Sequence, residues 1–302
     1  MRRLVLALAF VGVTLVACGR TTKPDPAEAG DGAAGHAGTT NRDCASFTLA
    51  DPSLDAAVRA LAKGATPGAP LTSEAVSGVV RLSAEGVSTL EGAECLGSLR
   101  DLTLYQAAAL DLSPLARLPL EKLRLDTGAI DNLGPLASVT TLEELTLSSL
   151  NVSDLTPLAP LFALTTLQVA NASATEIEAL AGLTALRVLG LVGTPVTDIS
   201  PLSSLSALQV LNLSGTSVAD LTPLSALTNL EHLDFSHTLV SEVSAVPVPS
   251  GKSSQACLYA EGVPLSDGAV SEGIPSLCDA GWTVSWSTVD GERGVCNGTC
   301  GK

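Results

Sequence analysis

The stretch LTALRVLGLVGTPVTDISPLSSLSALQVLNLSGTSVADLTPL, residues 183–224, contains the same phrase twice at an interval of 22 residues: DISPL at 198–202 and DLTPL at 220–224. The phrase recurs upstream as DLSPL at 111–115, NLGPL at 132–136 and DLTPL at 154–158. Successive prolines stand 21 or 22 residues apart except for one double step, from Pro157 to Pro201. That gap holds EIEAL at 176–180, a copy that lacks its proline, and EVSAV at 242–246 is another. A fixed period of this length marks an array of small units that fold only by stacking on one another.

Each unit carries an alternating apolar pair before its phrase: Val80 and Leu82, Leu102 and Leu104, Leu123 and Leu125, Leu145 and Leu147, Leu167 and Val169, Leu189 and Leu191, Leu211 and Leu213, Leu233 and Phe235. Alternation predicts strands with one face in the core and the other presented to solvent. Such short strands cannot stand alone. Paired in parallel at about 4.8 Å, eight of them would make a sheet roughly 34 Å long. The proline has no N–H to donate and a fixed φ, which suits the turn onto the far side and forbids a central strand there.

This pattern resembles the internalin-type, 22-residue class of bacterial leucine-rich repeats, over about residues 44–246. The resemblance implies an α/β repeat solenoid, a horseshoe or arc with a parallel concave sheet. One departure stands out. Where that class usually carries Asn, three residues after the strand pair, this chain has Ala107, Gly128, Leu150, Ala172, Thr194, Thr216 and Thr238. Its ladder of buried Asn side chains is therefore incomplete, with Thr hydroxyls as the replacement late in the array.

Solenoid ends expose core and need caps. At the front, Asp51 can cap a helix, Pro52 suits its first position, Leu54, Val58 and Leu61 form one apolar face, and Gly64 can take the left-handed exit. That helix and the following LTSEAV at 71–76 resemble the N-terminal cap of bacterial leucine-rich repeats. Behind the array, residues 247–302 carry Cys257, Cys278, Cys296 and Cys300, with Trp282 and Trp286 in an expected strand. We expect a disulfide-pinned C-terminal cap there.

The first residues read Met1-Arg2-Arg3, then an apolar stretch from Leu4 to Ala17, then Cys18. Fourteen apolar residues are short for a span needing about 20. The layout resembles a bacterial lipoprotein signal, which implies removal of residues 1–17 and acylation of Cys18. Several acyl chains, at about 0.8 kcal/mol per buried methylene, would hold the protein on a membrane. From Gly19 to Asp43 no Leu, Ile, Val, Met or aromatic residue occurs, so 18–43 reads as the lipidated Cys and a tether with a reach of roughly 25–30 Å. The expected organisation is thus signal 1–17, tether 18–43, N-terminal cap 44–78, repeats 79–246 and C-terminal cap 247–302. The expected location is the cell envelope, at an outer membrane or cell surface.

With Cys18 set aside, six cysteines remain in a chain bound for an oxidising compartment, and disulfides are expected. Cys44 precedes the cap helix and Cys95 lies in the first repeat that this helix should cover, so these two are expected to pair. Cys257 and Cys278 are about one repeat apart and would stack within reach if the coil continued. A zinc site using Cys296 and Cys300 is the alternative, but no His is nearby and export disfavours free thiolates.

The formal charge is −15, and loss of Arg2 and Arg3 with the signal would remove two positive charges more. Such an acidic chain repels phosphate backbones, which argues against nucleic acid as a partner. His232, Asp234 and Ser236 share one strand face, but residues two apart lie about 6.5 Å from each other, too far for a triad whose members touch near 3 Å. No phosphate loop, metal-spaced His pair or nucleophile motif appears elsewhere, so neither catalysis nor a cofactor is expected. Binding remains, by a monomer, to a protein or glycan. The candidate face comprises Asp101, Thr103, Tyr105, Lys122, Arg124, Asp126, Glu144, Thr146, Gln168, Asn212, His232 and Asp234. A structural envelope spacer without a ligand is the competing reading, because aromatic anchors on that face are sparse.

Overall fold

The computed structural model describes residues 44–107, 110–250 and 256–296. The chain divides into two units, Met1–Arg42 and Asp43–Lys302, and the described residues all belong to the second. The signal segment, Cys18, the tether and Cys300 lie outside the described residues.

The body begins with a cap of four short elements: β1 (Ser46–Phe47), α1 (Pro52–Leu61), β2 (Leu71–Thr72) and α2 (Ser73–Val76). β1 and β2 pair antiparallel, with Phe47 opposite Leu71. α1 starts where expected. The Asp51 carboxylate accepts from the Leu54 N–H at 2.9 Å, its other oxygen accepts from the Ser88 N–H and hydroxyl at 2.7 Å each, and Pro52 needs no partner. Leu54 and Val58 are fully buried, and Gly64 adopts φ +68°. Leu61 departs from the expected apolar face and stays 52% exposed. Cys44 and Cys95 form the expected disulfide, with Cα atoms 5.2 Å apart, tying the cap to the first repeat. Gly92, at φ +95°, lets the cap strand pass, since a Cβ there would strike the Thr48 carbonyl.

The repeats supply β3 (Arg81–Glu85), β4 (Asp101–Tyr105), β5 (Lys122–Gly128), β6 (Glu144–Leu150), β7 (Thr166–Ala170), β8 (Val188–Gly190), β9 (Val210–Asn212) and β10 (His232–Asp234). All pair in parallel with their neighbours. Leu102, Leu123, Leu145, Leu167, Leu189, Leu211 and Leu233 stack in one buried column, with Leu104 through Phe235 as the next. The first pair needs correction. The register aligns Leu82 with Leu102 and Ala84 with Leu104, so the inward pair is Leu82 and Ala84, while Val80 precedes the strand and is exposed. The step from Leu82 to Leu102 is shorter than the later ones, which shifts the apparent phase.

On the side away from the sheet each proline opens a 3-10 turn, as at Ser113–Arg117, Gly134–Ser138, Thr156–Leu158, Ser200–Ser204 and Thr222–Leu224. The acidic residue of the phrase explains itself there. Asp111, Asp154, Asp198 and Asp220 each accept from the N–H two residues on, at 2.8–2.9 Å, satisfying a donor that the turn leaves open. Hydrogen bonds from Thr156 and Thr222 hold the carboxyls of Asp154 and Asp220 below their ordinary range. At most strand exits one residue takes positive φ, among them Gln106, Ser149, Asn171, Gly193, Gly215 and His237. Just beyond, Thr194, Thr216 and Thr238 are buried and donate their hydroxyls to the carbonyls of Leu191, Leu213 and Phe235 at 2.6–2.7 Å. The Thr replacement for the missing Asn ladder is thus realised as a local bond within each unit.

The parallel sheet does not end at residue 246. It continues through β11 (Ala256–Val263), which aligns Leu258 with Leu233, and, after α3 (Ile274–Asp279), through β12 (Trp282–Thr288). β13 (Arg293–Cys296) then turns back antiparallel and forms the edge of an 11-stranded sheet. Trp282 is fully buried and donates its indole N–H to the Pro247 carbonyl at 2.9 Å. The expected Cys257–Cys278 pair is not formed: Cys278 bonds Cys296, Cα atoms 6.2 Å apart. The coil carries Cys257 on a strand but Cys278 on α3, so a sequence interval of one repeat does not stack them, whereas β13 returns Cys296 to the helix.

Candidate functional site

The strands set the presented face by their register. Arg81, Asp101, Lys122, Glu144, Thr166, Val188, Val210 and His232 occupy equivalent positions on successive strands. Charge alternates along the first four. Arg81 and Asp101 approach to 3.6 Å, Lys122 and Glu144 form an ion pair, and Arg124 pairs with Asp126 at 3.1 Å on the next position. The hydrogen bond to Glu144, and its charge, hold the Lys122 ammonium pKa above its ordinary value. These are exposed pairs, weakened by solvent and salt, so they shape the surface more than they stabilise the fold.

Beyond β6 the face changes character. The presented positions of β7, β8 and β9 are Thr166, Gln168, Ala170, Val188, Gly190, Val210 and Asn212, none of them charged. Gly190 leaves room there for the side chain of Gln168, which lies across it and would have to swing aside for a Cβ. Past this neutral stretch the face carries His232 and Asp234.

All twelve residues expected on this face reach the surface, exposed or half-buried. They do not converge on one point but spread over six strands between β4 and β10, with none on β8. The hydrogen bonds of the His232, Asp234 and Ser236 trio are structural ones: Asp234 accepts from the Ser236 N–H at 2.9 Å and the Ser236 hydroxyl accepts from the Glu261 N–H at 3.1 Å. Among the described residues no three His, Cys, Asp or Glu side chains are grouped as a metal site would require. The zinc alternative loses Cys296 to its disulfide, and its other member, Cys300, lies outside the described residues.

One feature of the face was not expected from the sequence. A hollow of about 470 Å³ lies where α1 overhangs the first two strands. Ala57, Ala60 and Leu61 form its wall, at the spacing that puts them on one side of the helix, with Leu82 below. Arg81, Ser83, Asp101 and Thr103 line it from the presented face. Leu61, an apolar helix residue left without cover, marks it in the structure.

A parallel sheet of 22-residue coils, turned by 3-10 segments and closed by caps, defines a leucine-rich-repeat solenoid, and a family model for "Leucine Rich repeats (2 copies)" matches residues 206–247. The solved structure of internalin C2 from Listeria monocytogenes is 31% identical, with a TM-score of 0.64 over 68% of this chain and 94% of that one. A second internalin of the same organism, inlF, is 25% identical, with a TM-score of 0.70 over 80% of this chain and 71% of that one. No curated protein matches by sequence. The chain belongs to the internalin-type bacterial leucine-rich-repeat proteins, and its fold supports a protein-binding surface.

Proposed function

We propose that the protein is an exported lipoprotein, held at the cell envelope through acyl chains on Cys18, that binds a protein ligand on its presented face and catalyses no reaction. The observation carrying this reading is the face itself: a sheet of registered strands whose outward side chains are exposed and chemically varied, interrupted at one end by an apolar hollow. Concave apolar features rimmed by polar groups are where interface anchors seat. A protein fits better than a glycan, because Tyr105 is the one aromatic among the twelve face residues proposed. Internalin relatives support an envelope setting, and the resemblance of residues 1–18 to a lipoprotein signal supports the anchor. Among the described residues no helix is long and apolar enough to cross a membrane.

A spacer without a ligand draws support from the ion pairs, since Lys122 and Arg124 already have partners within the chain. The two readings separate in one experiment. Purified full-length protein and a Tyr105→Ala, Lys122→Ala, Arg124→Ala variant are used to capture proteins from envelope and host-surface extracts. A binder loses a defined partner in the variant; a spacer captures the same background in both. Metabolic labelling with an alkyne fatty acid, lost in Cys18→Ser, tests the anchor separately.

A further inference from the structure

The ladder Arg81, Asp101, Lys122, Glu144 has two ends of different kinds. Asp101 lies between two cations, and Lys122 is bonded to Glu144. Arg81 is the terminal charge, with a single loose contact to Asp101 at 3.6 Å and a side chain that is 82% exposed. On its open side is the hollow under α1, whose wall of Ala57, Ala60 and Leu61 offers no charge and no hydrogen-bonding side chain, while Ser83, Asp101 and Thr103 line it from the strands, with the Asp101 carboxylate shared between Arg81 and Lys122. Asp55, the acidic residue in the first turn of α1, is already bonded to Arg59 at 2.6 Å and does not line the hollow.

We infer that this hollow is an anchor site for an extended peptide segment in which an aliphatic side chain sits beside a carboxylate. The inference rests on the reading of the face as a protein-binding surface and names the chemistry of what it takes. The aliphatic group covers Leu61 and the two alanines, removing from water an apolar wall that the fold leaves open. The wall holds no aromatic ring, so there is nothing to stack on, and a branched aliphatic chain matches it best. The carboxylate completes the charge ladder at Arg81, whose guanidinium can present two parallel N–H donors to it. At about 470 Å³ the space lies within the roughly 300–1,000 Å³ of small-ligand pockets, enough for one side chain and its adjoining backbone.

The test uses full-length protein and three small probes: N-acetyl-leucine, its amide N-acetyl-leucinamide, and N-acetyl-alanine. Saturation-transfer NMR reads which probe protons touch the protein, and titration gives the affinities. The acid is expected to bind with transfer concentrated on its isobutyl methyls, the amide about fivefold more weakly, as loss of an exposed ion pair allows, and N-acetyl-alanine not measurably. Arg81→Gln should erase the difference between acid and amide. Ala60→Phe, at an exposed helix position, should fill the hollow and abolish binding of both, and Leu61→Glu should do the same by placing a competing carboxylate beside Arg81. Equal binding of acid and amide to the unchanged protein, no binding at millimolar probe, or binding that survives both hollow variants would overturn the inference. If a captured partner is lost on changing Tyr105 and Arg124 but kept in Ala60→Phe, the hollow fails as an anchor while the face stands as a binding surface. Probe binding without any captured partner would have the opposite meaning.

Discussion

Asp51→Ala should unfasten the front of the solenoid. The carboxylate does three jobs at once: it accepts from the Leu54 N–H that α1 would otherwise leave open, and from the N–H and hydroxyl of Ser88 in the first repeat. Losing an N-cap costs about 1 kcal/mol. Removing a charged acceptor from the Ser88 donors adds about 1.5–3 kcal/mol, the lower part of that range applying because Ser88 is exposed enough to find water. The total is roughly 3 kcal/mol. Because each unit of a solenoid contacts only its neighbours, the loss should fall on the cap and first strands rather than on the whole array. Hydrogen exchange read by mass spectrometry should therefore show α1 and β3 opening first, with β8 to β10 unchanged, and the early part of the thermal transition should move down by about 2–4 °C per kcal/mol. The pH dependence has a definite sign. Burial tends to raise the Asp51 pKa, but the hydrogen bonds from Ser88 and Leu54 outweigh it and leave the folded value below the ordinary 3.8. The stabilisation is then complete above the unfolded value and fades as the pH falls through the folded one, so acidification below about 4 should loosen the native cap and leave the variant's cap unaffected. A melt displaced by less than about 2 °C, or exchange that quickens evenly from β3 to β10, would refute this account.

Other parts of the fold carry four more expectations. Gly215→Ala should cost about 1–2 kcal/mol, read by urea titration, since φ is +70° and no side chain stands close enough to add a clash. Thr216→Val keeps shape but removes the hydroxyl bond to the Leu213 carbonyl, and should cost about 1 kcal/mol; a neutral outcome in the same titration would mean that bond contributes nothing net. Opening the Cys44–Cys95 link by a double alanine variant should destabilise the cap by up to about 4 kcal/mol, the chain-entropy value for a closed loop of 51 residues. Peptide mapping without reduction should recover Cys44 with Cys95 and Cys278 with Cys296, and a Cys257–Cys278 peptide would contradict the described C-terminal coil.

The periodic parts of the molecule were legible because one physical demand repeats: every coil must put its leucines inside, so the strand columns, the turns at proline and the outward rows follow from counting. Counting failed where the period changes. The first repeat is short, which displaced the inward pair from Leu82 and Ala84 to Val80 and Leu82. In the last coils α3 takes the place of a 3-10 turn, so Cys257 and Cys278 fall on unlike elements. The ion pair of Lys122 with Glu144 could have been found by the same counting, since opposite charges 22 residues apart must meet on adjacent strands. The hollow could not. It lies between α1 and the first two strands, a relation between residues 57–61 and 81–103 that no local pattern encodes, and the exposed Leu61 is its trace in the structure.

This molecule can change length one coil at a time. At the exit the left-handed residue hands its N–H to the next coil, as Gly193 does to the Ser214 carbonyl and Gly215 to that of Ser236, and late in the array a threonine bonds within its own unit, so each junction is of the same kind as the next. Excising one coil, for example residues 188–209, would bring Arg187 to Val210 with every remaining strand still in register with a neighbour of the same kind. Duplication would work as readily. The neutral middle of the face is therefore an adjustable ruler between two fixed ends, and a lineage could lengthen or shorten its reach from the hollow under α1 without redesigning either cap.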